Sequence, residues 1–179
     1  MPSEFTYQFA QELIKTSKVI LNPDESTCLQ KVISLSVGYR DSLVLKAEED
    51  DIFFKWDIKQ SGKDYCRISL HLLEKDSCIG IFRVDFVSDT EYHPNPCGLN
   101  PDVPEALKPY LAKDIYGPHA HFNVKGYKEM AWAIPLTDIQ FSAKHLVEEA
   151  GRVDLGLPIK SFADYINIQT PLIIEPVVL

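Results

Sequence analysis

The chain has 179 residues, 45% of them hydrophobic and 11% aromatic, so it is long enough to bury a hydrophobic core of its own. A formal net charge of −8 argues against non-specific binding to nucleic acid, which normally requires a basic surface. No apolar run approaches the roughly 20 residues of a membrane-spanning helix, so we expect no membrane segment.

Four cysteines, Cys28, Cys66, Cys78 and Cys97, are far apart in the sequence and form no CxxC pair. The N-terminus becomes amphipathic at once and does not resemble a signal peptide. We therefore expect reduced thiols and a cytoplasmic protein. Without linkers, repeats or low-complexity tracts, residues 1–179 are expected to form a single globular domain.

The first predicted element is an amphipathic helix. Phe5, Phe9, Leu13 and Ile14 recur at helical spacing, and Ser3 is placed to cap the N-terminus. From residue 29 to 88 the apolar residues instead recur at every second position, over 33–37, 52–58, 66–72 and 82–86. Short turns join the last three of these segments, which predicts an antiparallel meander with one apolar face. Its buried residues are predicted to include Ile68, Leu70, Phe82, Val84 and Phe86.

Residues 93–118 hold six of the twelve prolines, which predicts a long surface loop rather than more sheet. Strands are predicted again at 119–124 and 130–136. A capping box at 137–140 and a hydrophobic staple between Leu136 and Phe141 predict a helix from about 138 to 150, ended by Gly151. A short helix at 161–166 and a packed apolar tail follow. The predicted fold class is α+β, with one antiparallel sheet of about five to seven strands and helices on its apolar face.

Residues that can carry chemistry concentrate on the two strands next to the proline-rich loop. Residues two apart on a strand point the same way, so Arg83 shares a face with Asp85, and His119 shares a face with His121. Each pair alternates with the apolar residues of its strand. All four side chains are therefore predicted to project from the solvent face of the sheet and to converge in one pocket.

Two further residues are predicted to join this pocket. Arg67 projects from the same face if its strand pairs with residues 79–88, and His93 lies at the entry of the loop. Because the loop connects the two strands that carry the pocket, residues 93–118 are expected to form its rim.

Three uses of this cluster stay open. His119 and His121 could hold one metal ion with His93 or Asp85 as third ligand, but no HExxH or cysteine pattern supports this, so we predict neither a metal nor another cofactor. Alternatively, one histidine removes a proton and another donates one on a phosphodiester, while Arg83 holds the anionic oxygens. In the third use the histidines only hydrogen-bond the proline-rich loop to the sheet. Arg83 and Asp85 then form a surface ion pair, which contributes about 0–1 kcal/mol to stability.

The motifs also carry a resemblance. Arg-x-Asp at 83–85, His-x-Asn-Pro at 93–96, Gly-Pro-His-x-His at 117–121 and the segment 162–168 resemble a poorly characterised family of small bacterial and phage-associated proteins. The resemblance covers roughly residues 79–168. A more distant similarity to toxin-like proteins of toxin–antitoxin operons, which have an Arg-x-Asp strand and paired histidine motifs, implies an action on RNA.

The sequence therefore predicts a binding or interaction module, from a mobile-element or phage-associated context, with a polar His/Arg/Asp pocket and a protein or RNA as possible partner. The alternative is a toxin-like phosphodiesterase directed at RNA or nucleotides. In that alternative His119, His121 and His93 are catalytic, and the ligand is bound by Arg83, Asp85 and Arg67.

Overall fold

The computed structural model describes residues 5–36, 38–64, 67–149 and 152–175. Short 3₁₀ helices occur at Lys108–Tyr110 and Leu136–Asp138. The other elements, in chain order, are α1 (Tyr7–Lys15), β1 (Lys18–Ile20), β2 (Lys31–Ser34), β3 (Arg40–Ala47), β4 (Phe53–Gln60), β5 (Ile68–Glu74), β6 (Gly80–Phe86), β7 (Tyr92–Pro94), β8 (Asp114–Tyr116), β9 (His119–Phe122), β10 (Trp132–Pro135), β11 (Val147–Glu149), β12 (Arg152–Asp154), α2 (Gly156–Tyr165) and β13 (Leu172–Glu175).

Seven strands form an antiparallel sheet in the order β1-β3-β4-β5-β6-β9-β10. The remaining strands form three two-stranded pairs, which are β7 with β8, β11 with β12, and the parallel pair β2 with β13. The predicted α+β class with a main antiparallel sheet is confirmed. The meander over residues 52–88 is confirmed as β4, β5 and β6, and its five predicted core residues are fully buried.

The two faces of the sheet differ because neighbouring rows of side chains point to opposite sides. One row on the apolar face crosses six strands and is buried throughout; it consists of Leu43, Trp56, Leu72, Phe82, Phe122 and Trp132. The next row, on the opposite face, is polar over most of its length and consists of Ser42, Asp57, His71, Arg83, His121 and Ala133. The register that buries the apolar row therefore also places Arg83 and His121 side by side on the opposite face.

Both helices pack on the apolar face. Phe162 of α2 stacks on Trp56 and Phe82, with ring centroids 5.6 Å apart in each case. Tyr7 of α1 lies against Phe122, with ring centroids 5.5 Å apart. Among the described residues, no helix is long and apolar enough to cross a membrane.

The helix boundaries differ from the predicted ones. Thr6 caps α1 by accepting a hydrogen bond from the Phe9 amide, whereas Ser3, the predicted cap, lies outside the described residues. Helix α2 begins at Gly156, five residues before the predicted start at 161. Pro158 is compatible with this start because proline is tolerated in the first turn of a helix.

The predicted helix over 138–150 is wrong. After the 3₁₀ turn at Leu136–Asp138 the chain runs without regular structure to β11, and the Thr137 hydroxyl donates to the Asp138 carboxylate instead of capping a helix. Lys144 donates to the carbonyls of Leu136 and Ile139, and Ser161 of α2 accepts from the Ala143 amide. These bonds, of which the one between Ala143 and Ser161 spans 18 residues of chain, override the local capping signal. The predicted end at Gly151 lies outside the described residues.

The edges of the meander were predicted less well. Strand β3 was missed, because Val44 on its polar side obscures the alternation of the buried Leu43, Leu45 and Ala47. The strand predicted at 33–37 is β2, which lies outside the main sheet and pairs with the tail strand β13. Position 37 and the tail beyond residue 175 are outside the described residues.

The proline-rich stretch 93–118 is more ordered than a surface loop. Strands β7 and β8 form a hairpin in which Pro94 lies opposite Asp114. The stretch also buries Val103, Leu107 and Ile115. Proline is accommodated here because a two-stranded pair has open edges that need no donor.

A buried lysine joins the ends of both helices. Lys18 is fully buried, and its ammonium donates to the carbonyls of Ile14 at 3.0 Å, Thr16 at 2.6 Å and Ile166 at 2.8 Å. These carbonyls belong to the C-terminal ends of α1 and α2. The last carbonyls of a helix have no amide donor within the helix, and their partial negative charge attracts a cation. Burial lowers the pKa of Lys18 to about 7.

Candidate functional site

Three histidines from the two motifs meet on the polar face of the sheet. His93 comes from β7, and His119 and His121 come from β9. The ring centroid of His121 lies 4.6 Å from those of His93 and His119, and the His93 and His119 centroids are 5.8 Å apart. One ring nitrogen from each residue lies within 4.8 Å of the other two.

The sheet register places these histidines next to the Arg-x-Asp strand. His119 lies directly opposite Asp85, and His121 lies directly opposite Arg83. Gly117 precedes the pair with a φ of +68°, a conformation that favours glycine, and its carbonyl turns back to accept from Nδ1 of His119 at 2.6 Å. The Gly-Pro-His-x-His motif therefore provides both a turn and the anchor of its first histidine.

Each ring is anchored by one backbone carbonyl. Besides the bond from His119 to Gly117, Nδ1 of His121 lies 3.1 Å from the Met130 oxygen, and Nε2 of His93 lies 3.0 Å from the Ala131 oxygen. A carbonyl accepts only, so each of these nitrogens carries hydrogen and the other nitrogen of the ring is directed elsewhere.

The segment that supplies two of these carbonyls is itself tied to the sheet. The Glu129 carboxylate accepts from the Gly80 amide at 2.5 Å, and Met130 has a φ of +55°, which is unusual for a residue other than glycine. A Cβ atom at Gly80 would lie 2.4 Å from the Met130 methyl group and 2.7 Å from a Glu129 carboxylate oxygen, so these two side chains pack directly over the glycine. The segment thus approaches β6 closely enough to position His121 and His93.

Asn95 fastens the β7–β8 hairpin to the edge of the sheet. Its side-chain amide donates to the carbonyl of Ala133 in β10 at 2.8 Å and accepts from the Ala133 amide at 2.7 Å, as a neighbouring strand would. A third bond goes to the carbonyl of Tyr110. The Asn of the His-x-Asn-Pro motif is therefore the residue that brings His93 over the other two histidines.

Replacing Asn95 by alanine should lower the free energy of unfolding by about 1–3 kcal/mol, because the change leaves the buried amide of Ala133 without an acceptor. The comparison is chemical denaturation of Asn95→Ala and of Asn22→Ala, which removes an asparagine from an exposed turn. An equal, small effect of both changes would show that Asn95 does not hold the hairpin.

Asp85 links the histidines to Arg83. Its carboxylate receives Nε2 of His121 at 3.0 Å, and it pairs with Arg83 through Nε at 2.9 Å and Nη2 at 2.7 Å. Burial by itself would raise the pKa of Asp85, but the hydrogen bond from His121 and the charges of His121 and Arg83 hold it well below its usual range. Asp85 is therefore ionised, and both nitrogens of His121 face oxygen acceptors.

His119 and His93 are neutral near pH 7. Burial lowers the pKa of His119 to about 4, and the neighbouring His121 charge acts in the same direction. Burial also lowers the pKa of His93, against the bond to Ala131. With Nδ1 of His119 and Nε2 of His93 bound to carbonyls, His119 Nε2 and His93 Nδ1 retain lone pairs.

The histidines open into a cavity of about 690 Å³ whose wall includes all six residues singled out from the sequence. The prediction that the paired side chains lie on a solvent face is wrong for Asp85, His119 and His121, which are buried beneath the β7–β8 hairpin. Of the stretch 93–118, which was predicted to form the rim, residues 93–97 line the cavity. Arg67 also lines the cavity, where it pairs with Glu91 at 2.8 Å.

Three contributors to this site were not predicted. The carbonyls of Met130 and Ala131 come from the start of the strand predicted at 130–136, and the carboxylate of Glu129 comes from the residue before it. No side-chain pattern marks a carbonyl that binds a distant ring. Asn95 was part of a quoted motif, and the pair of bonds that it makes to Ala133 gives that motif a structural reason.

The donor set fits a transition-metal ion. Metal-binding histidines usually donate their second ring nitrogen to a carbonyl or carboxylate, which fixes the ring and its tautomer, and all three histidines have such a carbonyl. Imidazole nitrogens suit zinc and its neighbours rather than magnesium or calcium.

The comparisons with known proteins identify a family. A family of unknown function, DUF6978, matches residues 5–168. The chain belongs to the DUF6978 family. No curated protein and no solved structure matches with statistical significance. The predicted membership of a poorly characterised family is thereby confirmed, whereas the bacterial or phage origin and the likeness to toxins receive no support.

Proposed function

We propose that this pocket binds one transition-metal ion of the zinc class through His93, His119 and His121 and uses it in hydrolytic chemistry. The observation that carries the proposal is the approach of three ring nitrogens to within 4.8 Å, with the second nitrogen of every ring on a backbone carbonyl. The arrangement differs from a set of histidines that merely brace a loop, because two of the three retain a lone pair directed away from their anchors.

Three histidines are a ligand set of catalytic rather than structural zinc sites, since they leave a coordination position for water or substrate. A bound ion polarises a substrate oxygen and activates water. The protein residues hold the rings through Gly117, Met130 and Ala131, and the cavity of about 690 Å³ gives a small substrate access to them. Nε2 of His121 bonds Asp85 in this structure, so binding of the ion through this nitrogen would release the Asp85 carboxylate, which Arg83 still holds, to accept a proton.

A second candidate is general acid–base catalysis without a metal. Both nitrogens of His121 face oxygen acceptors, whereas His119 is neutral and keeps a lone pair on Nε2. A ring that keeps a lone pair can accept a proton, and a neighbouring ring nitrogen that carries hydrogen can donate one. This is the chemistry that the sequence predicted for an RNA or nucleotide phosphodiester.

The interaction module, with a protein or RNA partner in the cytoplasm, remains as the non-catalytic proposal. It requires only that the cluster hold the β7–β8 hairpin in place. It predicts a protein that neither binds a metal stoichiometrically nor turns over a substrate.

A metal titration tests these proposals. Protein stripped with a chelator is titrated with Zn²⁺ against a chromophoric competitor, and hydrolysis of activated carboxylic and phosphoric esters is measured with and without the metal. One ion bound per chain and activity restored by the ion support the metal centre. Activity that survives stripping supports the acid–base candidate. No binding and no activity leave the interaction module.

A further inference from the structure

We infer that the substrate of the metal centre is a phosphate ester, whose oxyanion binds Arg83 while a second oxygen faces the three histidines. This inference rests on the proposed metal centre and adds the chemical class of its substrate. It starts from the position of one guanidinium group.

A single carboxylate oxygen of Asp85 links Arg83 to the histidine cluster. Nη2 of Arg83 and Nε2 of His121 both bond Oδ2 of Asp85, at 2.7 Å and 3.0 Å. A ligand that reaches the histidines therefore also reaches the guanidinium group. The spacing suits a group with several oxygens, of which one faces the cluster and another faces Arg83.

The guanidinium group is fixed and still has donors to offer. Nε and Nη2 are held by Asp85, and Nε also bonds the Ser69 hydroxyl at 3.2 Å. The contacts of Arg83 with described residues leave Nη1 without a protein acceptor, and 37% of the side chain is exposed in the cavity wall. A planar group oriented in advance loses little entropy when it binds an oxyanion, and arginine is the usual residue for phosphate.

The charges of the cavity favour an anion. Its wall contains the cations Arg67, Arg83 and Lys128 and the carboxylates of Asp85, Glu91 and Glu129, so the charges of these side chains cancel. The three carboxylates bind Arg83, Arg67 and the Gly80 amide. Three neutral imidazole ligands do not reduce the charge of a divalent ion. The loaded site therefore has two excess positive charges, which a phosphate ester neutralises better than a neutral ester does.

The volume sets the size of the substrate. A cavity of about 690 Å³ is in the range of pockets that hold small organic ligands and cofactors. A phosphate group therefore fits together with one ester substituent. Monoesters and diesters share the oxyanion, and the test separates them.

The test uses protein loaded with Co²⁺, whose visible spectrum responds to its ligands. Phenyl phosphate and diphenyl phosphate are titrated separately, and benzoate and phenyl acetate serve as a carboxylate and a neutral ester. We expect a saturable spectral change with at least one phosphate ester at concentrations at which benzoate and phenyl acetate have none. The ester that binds identifies the substrate as a monoester or a diester.

Three variants locate the effect. Arg83→Gln should weaken phosphate binding by about tenfold to a hundredfold, as the loss of a charged hydrogen bond does, and Lys128→Gln should weaken it to a smaller extent. Lys128 is exposed, so its replacement leaves the fold intact if Arg83→Gln does not fold. Arg40→Gln, on the exposed end of β3, is the matched control and should change nothing.

The outcomes separate this inference from the proposal beneath it. A chain that gives no Co²⁺ spectrum has no metal centre, and both fail. A Co²⁺ spectrum that no phosphate ester changes, or that benzoate changes equally, overturns the phosphate inference alone. Equal phosphate binding by wild type, Arg83→Gln and Lys128→Gln also overturns it.

Discussion

His119→Ala should remove most of the affinity of the protein for Zn²⁺. The loss should exceed the roughly 10–100-fold that replacement of an outer partner of a metal ligand costs, because His119 is proposed as a ligand itself. Its Nδ1 is occupied by the Gly117 carbonyl, which leaves Nε2 as the nitrogen that can bind the ion. Competition with a chromophoric chelator measures the affinity, and circular dichroism checks that the variant is folded.

The chain contains its own controls for this experiment. His71 is on the same face of the sheet, directly opposite Arg83, but does not belong to the three-histidine cluster, and His145 is exposed. His71→Gln and His145→Gln should bind Zn²⁺ as wild type does, whereas His93→Ala should behave like His119→Ala. Equal affinities for all five proteins would contradict a site at the cluster.

Lys18→Met should lower the free energy of unfolding by about 2–6 kcal/mol, since it leaves the buried carbonyls of Ile14 and Ile166 unpaired and each costs about 1–3 kcal/mol. Methionine keeps an unbranched apolar stem of similar shape but lacks the terminal ammonium that donates to the carbonyls of Ile14, Thr16 and Ile166. Lys15→Met is the matched control, because Lys15 lies exposed in the last turn of α1. Chemical denaturation of both variants measures the difference, and equal stabilities would show that the helix ends do not depend on Lys18.

The same lysine gives stability a particular dependence on pH. Its pKa is about 7 in the folded chain, below the ordinary lysine value of 10.5. Between these values the unfolded chain binds a proton that the folded chain does not, so the free energy of unfolding rises with pH. Wild type should therefore gain stability from pH 7 to pH 9.5 relative to Lys18→Met. A constant difference between the two proteins over this range would contradict the shifted pKa.

The sequence predicts the centre of this fold well because the centre is built on local alternation. From β4 to β6 every second residue is buried over long stretches, and a slip by one position would expose an entire apolar row. The same alternation identifies the faces of Arg83 and His121. The facing of the site residues was therefore predictable, although their burial was not.

The errors occur where distant contacts decide the conformation. The capping box at 137–140 is a valid local signal, but the Ala143 amide bonds Ser161, 18 residues further along the chain, and this contact helps to hold the segment out of a helix. The burial of His119 and His121 depends on the β7–β8 hairpin, which Asn95 attaches to β10 across 38 residues of chain. Neither contact has a periodic signature in the sequence.

The sequence placed His93 at the pocket, but it left open whether the ring of His93 faces His119 and His121. The proline-rich stretch separates β7 from β9 in the sequence, so strand alternation says nothing of the direction of His93. The ring faces the cluster rather than solvent because the β7–β8 hairpin docks there. No metal was predicted because no HExxH or cysteine pattern supported one, and the third ligand was left open between His93 and Asp85. The geometry favours His93, since Asp85 is already held by Arg83.

The most direct test of the central claim is X-ray absorption spectroscopy of the protein loaded with one equivalent of Zn²⁺. The three-histidine centre predicts nitrogen or oxygen neighbours at about 2.0–2.1 Å, with the multiple scattering of three imidazole rings. This scattering should be lost when His93 and His119 are both replaced by alanine. A shell of oxygen atoms without imidazole scattering, or sulfur at about 2.3 Å from cysteine, would contradict the site.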